Sequence, residues 1–160
     1  NPGRVAGAGH HRWYGELFAP AVALGILEPH HLAGYRNGPV YIRNSMHTPL
    51  PRDALADAME ALIDLLVLEP EPAVRAVIGH HLFVFIHPYF DGNGRIGRFL
   101  MNAMLASGGY PWTVIRMKRR DAYMRALESA STGGDIKPLA RFIAEEMREW
   151  EPGKPARRKR

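Results

Sequence analysis

The 160-residue chain has no cysteine. That excludes disulfides and thiolate-held zinc and is compatible with a reducing compartment. It has no apolar run approaching the roughly 20 residues of a membrane span. No charged stretch followed by an apolar core opens it, so a secretory signal is not read either. Hydrophobic residues make up 46% and charged residues 23%, values of a folded globular chain rather than a disordered one. The first residue is Asn1 rather than methionine, as expected of a fragment or a processed chain. These absences point to a soluble, cytoplasmic protein, with delivery into a host cell as the alternative.

A basic body is lacking too. The formal net charge is +5, but Lys154, Arg157, Arg158, Lys159 and Arg160 all follow the last acidic residue, Glu151. Those five account for the whole excess, so the body is neutral and nucleic acid is not the expected partner. Residues 1–10 read as a loose, Gly-rich N-terminal segment, residues 11–150 as one domain, and residues 151–160 as a basic, disordered tail.

Within the domain, the apolar spacing is helical. His11 to Leu27 reads as a helix with an irregular end. Leu55, Ala58, Met59, Leu62, Ile63 and Leu66 recur at helical intervals after Arg52. Pro72 suits a helix start, followed by Val74, Val77, Ile78, His81, Leu82 and Phe85. Ile96, Phe99, Leu100, Ala103 and Met104 form a further face ended by Gly108-Gly109. Two more helices are expected over 118–129 and 138–150. Between Gly34 and Pro51, the β-forming run Val40-Tyr41-Ile42 is bounded by turn residues and reads as a small hairpin. The fold expected is therefore an all-α bundle carrying one hairpin.

The chemistry concentrates between two of these helices, in His87–Arg98, HPYFDGNGRIGR. Gly92 and Gly94 let the backbone bend and approach a ligand closely. The free N–H groups of such a turn and of the following helix start make an anion hole. Arg95 and Arg98 lie three apart in the first turns and can reach an anion held there. Asp91 alone would repel phosphate, but a Mg²⁺ ion between them turns it into an asset. His87 titrates near neutral pH and can take a proton from an attacking hydroxyl. Gly92, Gly94 and Gly97 also spell G-x-G-x-x-G, yet the βαβ units of a dinucleotide fold are absent, and no Lys-Ser/Thr pair completes a Walker loop. The adjacent pairs His10-His11, His30-His31 and His80-His81 lack the further ligands of a metal site. The cluster from Arg116 to Arg120 reads as a solvated helix start.

The segment resembles the signature of the Fic family, H-x-F-x-D/E-G-N-G-R-x-x-R, with Tyr89 in place of Phe. Upstream, Tyr35-Arg36, Val40-Tyr41-Ile42, His47 and Pro49-x-Pro51 are similar to the family's flap hairpin and its Pro-rich exit. Downstream, Arg120, Tyr123, Leu127, Gly134-Asp135, Pro138 and Phe142-Ile143 resemble the stretch after the catalytic helix. The resemblance covers about Gly34 to Met147. It implies a Fic-type helical bundle with the hairpin flap beside the active site, acting as a protein adenylyltransferase. Such an enzyme transfers AMP from ATP to a Tyr, Thr or Ser hydroxyl and releases pyrophosphate.

By the same resemblance, His87 is the general base and Asp91 the Mg²⁺ ligand. Gly92, Asn93 and Gly94 form the anion hole, and Arg95 and Arg98 bind the β- and γ-phosphates. Val40 and Ile42 steady the target segment, and Tyr123, Met124 and Ser131 fall at the adenine pocket. Many family members are restrained by a helix carrying S/T-x-x-x-E-G/N, and no window of these 160 residues matches it. The resemblance thus implies an upstream inhibitory helix, a separate antitoxin-like partner, or an unrestrained domain. Its alternatives are transfer of another phosphate-containing group, removal of AMP, or a toxin or effector module.

Overall fold

A computed structural model describes residues 1–149; Trp150 and the basic tail over 151–160 lie outside the described residues. Six α-helices carry the fold: α1 (Pro2–Ala23), α2 (Leu55–Leu68), α3 (Pro72–Ile86), α4 (Asn93–Ser107), α5 (Arg120–Gly133) and α6 (Lys137–Glu149). No described helix is long and apolar enough to cross a membrane.

The first helix corrects the expectation of a loose N-terminal segment. Asn1 caps it, its side-chain oxygen accepting from the N–H groups of Gly3 at 2.9 Å and Arg4 at 3.4 Å, and Pro2 occupies the first turn. The glycines that suggested looseness are packing residues. A Cβ on Gly3 would stand 2.6 Å from the Leu66 carbonyl carbon, and one on Gly7 would stand 2.9 Å from an Ile63 methyl. Composition alone does not distinguish a glycine that frees the chain from one that lets two helices touch.

Pro72 stands at the start of α3, as expected. Helix α4 begins three residues earlier than its apolar pattern, because the Gly-Asn-Gly turn itself winds into the first helical turn. Glycine at 97 brings α3 and α4 together: a Cβ there would meet His80 Nδ1 at 3.0 Å and Val84 Cγ2 at 3.1 Å. One apolar cluster draws on all six helices, with Phe83, Ile96, Met101, Met104, Leu105 and Leu139 at its centre.

The hairpin expected over 34–51 is not formed; the described residues contain no strand. The segment is an irregular loop with Pro39, Pro49 and Pro51 at its limbs, residues that withhold ladder donors. The arginines before α5 also differ from a solvated helix start. Arg116 forks onto the buried Glu146 at 2.8 Å and reaches Glu149 at 2.9 Å, and Arg119 reaches Glu145 at 2.7 Å. Those pairs pin the chain entering α5 to α6.

Candidate active site

His87 closes α3. It adopts a left-handed conformation at φ 55°, the C-cap geometry usually given to glycine. Its N–H donates to the Phe83 carbonyl at 3.0 Å, and its Nδ1 lies 3.2 Å from the Val84 carbonyl. A carbonyl only accepts, so Nδ1 carries the proton and Nε2 keeps its lone pair. Burial holds the imidazole below the ordinary histidine value, and the charges of Arg36 and His47 push the same way. The Val84 carbonyl and Asp91 oppose them. At neutral pH His87 is therefore an unprotonated base with a defined tautomer.

The turn that follows is built by its own side chains. Asn93 is buried; its Oδ1 accepts from the Tyr89 N–H at 2.9 Å and its Nδ2 donates to the Tyr89 carbonyl at 2.7 Å. Both ends of its amide are thus engaged in closing the loop, and only its main-chain N–H faces outward. Gly92 caps α4 at φ 78°, where a Cβ would stand 2.7 Å from the Phe18 ring. Its N–H donates to Asp91 Oδ1 at 2.6 Å. The N–H groups of Asn93 and Gly94 have no acceptor among the described residues, and they stand at the positive end of α4. An anion hole here rests on those two donors, with Gly92 shaping the turn.

Asp91 is mostly exposed and pairs with Arg95 at 3.2 Å. Arg95 also lies over the Phe18 ring, 5.0 Å from its centroid. The half-buried Arg98 lies beside the Tyr123 hydroxyl, which is 2.8 Å from His80 Nε2. No cluster of three or more metal-ligating side chains occurs among the described residues. That donor set still fits Mg²⁺, which characteristically takes one or two carboxylates and completes its shell with phosphate oxygens and water. Asp91 offers one exposed carboxylate beside free amide donors.

The loop over 34–51 is tied down at three places. Arg36 joins it to His87 and Pro88. His47 Nε2 donates to the Phe85 carbonyl at 2.8 Å. Glu128 of α5 accepts from the Ser45 hydroxyl at 2.5 Å and the Met46 N–H at 2.8 Å, which lowers its carboxyl pKa. Between the limbs lies a cleft of about 300 Å³ lined by Val40, Tyr41, Thr48 and Leu50 among others. The N–H groups of Val40, Tyr41 and Ile42 have no acceptor among the described residues.

Tyr14 goes unread in the sequence, and His10 and His11 are read there only as a pair without the further ligands of a metal site. Tyr14 stacks on Tyr89 with ring centroids 3.8 Å apart, and the Tyr89 hydroxyl shares a 2.9 Å hydrogen bond with His11 Nδ1. His10, its imidazole pushed down to about 4 chiefly by burial, bonds the Tyr35 hydroxyl at 3.1 Å. Helix α1 is thus the floor under the catalytic turn. The signal was the aromatic and histidine run itself, legible only once its partners are known. Tyr89→Phe is expected to cost no more than about 1.5 kcal/mol, the value of one hydrogen bond, as read by thermal denaturation.

Of the three residues expected at an adenine pocket, Tyr123 is buried against His80 and Phe142. Met124 packs at the margin of the core and Ser131 lies near the end of α5.

The arrangement is that of a helical protein presenting an oriented, unprotonated histidine beside two unpaired helix-start N–H groups, one carboxylate and two arginines. The Fic/DOC family model matches residues 14–105, and the chain belongs to that family. It is 40% identical over 125 residues to a Nematostella vectensis protein named protein adenylyltransferase Fic, covering 76% of this chain and 29% of that one. The protein of the same name from Drosophila willistoni is 37% identical over 126 residues, covering 76% and 25%. The chain thus spans between a quarter and a third of the length of these curated relatives. Among solved structures, a Fic family protein from Desulfovibrio desulfuricans G20 superposes with a TM-score of 0.69 at 31% identity, covering 90% of this chain and 48% of the other. Residues 134–508 of Fic-1 from C. elegans superpose with a TM-score of 0.68 at 28% identity, covering 81% and 38%.

Proposed function

We propose that the protein is an adenylyltransferase that moves AMP from ATP to a Tyr, Thr or Ser hydroxyl of a target protein. The observation that carries this reading is the free Nε2 of His87 beside the unpaired N–H groups of Asn93 and Gly94. The target hydroxyl attacks the α-phosphorus while Nε2 takes its proton. A new oxygen–phosphorus bond forms, the bond to the β-phosphate bridge breaks, and pyrophosphate leaves. Asn93 and Gly94 donate to phosphate oxygens, and Arg95 and Arg98 neutralise the β- and γ-phosphates. Asp91 would hold Mg²⁺, which screens the charge on the phosphates. Binding nucleotide exchanges the Asp91–Arg95 pair for contacts of each side chain to the ligand.

The loop supplies the target side. An extended target segment pairs with the free N–H groups of Val40, Tyr41 and Ile42, adding a strand where the described residues have none. Tyr123, Met124 and Ser131 of α5 flank the adenine; the same helix carries Glu128. Restraint from outside these 160 residues, by an upstream helix or an antitoxin-like protein, belongs to the same reading, since they hold no S/T-x-x-x-E-G/N sequence. So does a cytoplasmic setting, for which a cysteine-free chain is suited.

Incubation with Mg²⁺, ATP and a cell lysate, followed by mass spectrometry, is expected to locate AMP on hydroxyl side chains; modification confined to phosphate alone would refute the reading. The pH dependence is a further expectation. A depressed His87 pKa keeps the imidazole neutral to lower pH. The acid limb of the transfer rate therefore falls below 6.5, the ordinary histidine value, and the rate is level through neutrality. An acid limb at or above 6.5 in a rate–pH profile would contradict the burial of the base.

A further inference from the structure

Arg36 is 4% exposed, and no carboxylate pairs with it among the described residues. A buried guanidinium without a counterion is costly unless its donors are all met by acceptors. Here the acceptors are three main-chain carbonyls from three places. Nε donates to His87 at 2.7 Å, Nη1 to Gly38 at 2.9 Å, and Nη2 to Leu50. The Arg36 N–H adds a fourth bond, to the Pro88 carbonyl at 2.8 Å. Gly38 lies on the limb entering the loop, Leu50 on the limb leaving it, and His87 caps α3 in a strained left-handed conformation.

We propose that Arg36 is a positioning residue for AMP transfer: one planar side chain fixes both limbs of the loop at a set distance from the His87 cap. The base and the main-chain edge that receives the target then keep a constant spacing. This rests on the adenylyltransferase reading for its consequence, though the geometry is independent of it. Arg36 makes no bond to Asp91, Asn93, Gly94, Arg95 or Arg98, so nucleotide binding does not depend on it. Lysine cannot replace it, because a single ammonium lacks the planar fork that spans three carbonyls. With the His87 carbonyl released, the cap relaxes, Nδ1 loses its hold on Val84, and Nε2 leaves the line of attack.

The test compares wild type, Arg36→Lys and Arg36→Gln by three measurements. These are Mg²⁺-ATP affinity by calorimetry, transfer of α-labelled AMP to lysate proteins, and the His87 tautomer by nitrogen-15 NMR at neutral pH, assigned with His87→Ala. Displacing a reacting group by about 1 Å costs on the order of 10²-fold in rate. We expect that loss in Arg36→Gln and at least a tenfold loss in Arg36→Lys, with ATP affinity within twofold and the Nδ1–H tautomer of His87 mixed with the other. If wild type transfers no label, the adenylyltransferase reading fails, and the NMR comparison alone decides the role of Arg36. Retention of the wild-type rate and tautomer in Arg36→Gln overturns the proposal. So does a parallel fall of rate, nucleotide affinity and melting temperature in both variants, which would make Arg36 a residue of the fold.

Discussion

His87→Ala is expected to lower AMP transfer by about 10³-fold while leaving Mg²⁺-ATP affinity within about twofold. General-base catalysis by a positioned side chain contributes roughly 10²–10⁴-fold, and the oriented Nε2 of His87 places it well inside that range. Affinity is expected to be spared because the proposed phosphate contacts come from other groups: the amides of Asn93 and Gly94, and the guanidinium groups of Arg95 and Arg98. The side chain of His87 is also not what caps α3; its main-chain N–H does that, bonding the Phe83 carbonyl. The variant therefore folds, and labelled transfer together with equilibrium nucleotide binding separates the two effects. A His87→Ala protein of undiminished rate would remove the base from the mechanism.

Asn93→Ala is expected to be the most damaging single change in the phosphate turn, although the Asn93 side chain faces away from the phosphate. Alanine leaves the N–H and the carbonyl of Tyr89 unpaired in a buried setting. Each orphaned group costs about 1–3 kcal/mol, so a loss of roughly 2–6 kcal/mol is expected for the two, read as a lowered urea midpoint. Transfer and ATP affinity fall together, because the loop no longer presents the amides of residues 93 and 94. That joint loss is the opposite of the His87→Ala pattern, and it distinguishes a residue that shapes the turn from one that moves a proton. Asn93→Asp keeps the acceptor for the Tyr89 N–H but sets a carboxylate against the Tyr89 carbonyl, and it is expected to fail in the same direction.

Much of the bundle was legible because helices write their buried face at a fixed period. The apolar positions of α2 and the proline at the start of α3 follow from that spacing, but the face it assigns to α3 is not the buried one: Val74 is exposed, and Ala76, Gly79, His80, Phe83 and Ile86 turn to the core instead. The reading of the Gly-Asn-Gly-Arg turn as a phosphate cradle has a different basis: two glycines, a carboxylate and two arginines in so short a span have few other uses. The division of labour inside the cradle was not legible. Asn93 and Gly92 are adjacent in the motif, yet the amide of one closes the loop and the N–H of the other is taken by Asp91. Those facts depend on side-chain direction.

Residues 1–10 failed in the sequence because Gly3 and Gly7 mean flexibility locally and close packing globally. The hairpin failed because a β-forming run of three residues has no partner strand among the described residues; its loop is held instead by Glu128 of α5 and by His47 and Arg36 bonding carbonyls at the end of α3. In each case the deciding contact joins residues far apart in sequence, as Arg36 and His87 do.

Label position decides which group is transferred. The protein is incubated with lysate and Mg²⁺ in parallel with ATP labelled at the α-phosphate and ATP labelled at the γ-phosphate. The account predicts protein-bound label from the α position alone, lost in His87→Ala. Label arriving from the γ position alone would show a kinase and contradict it.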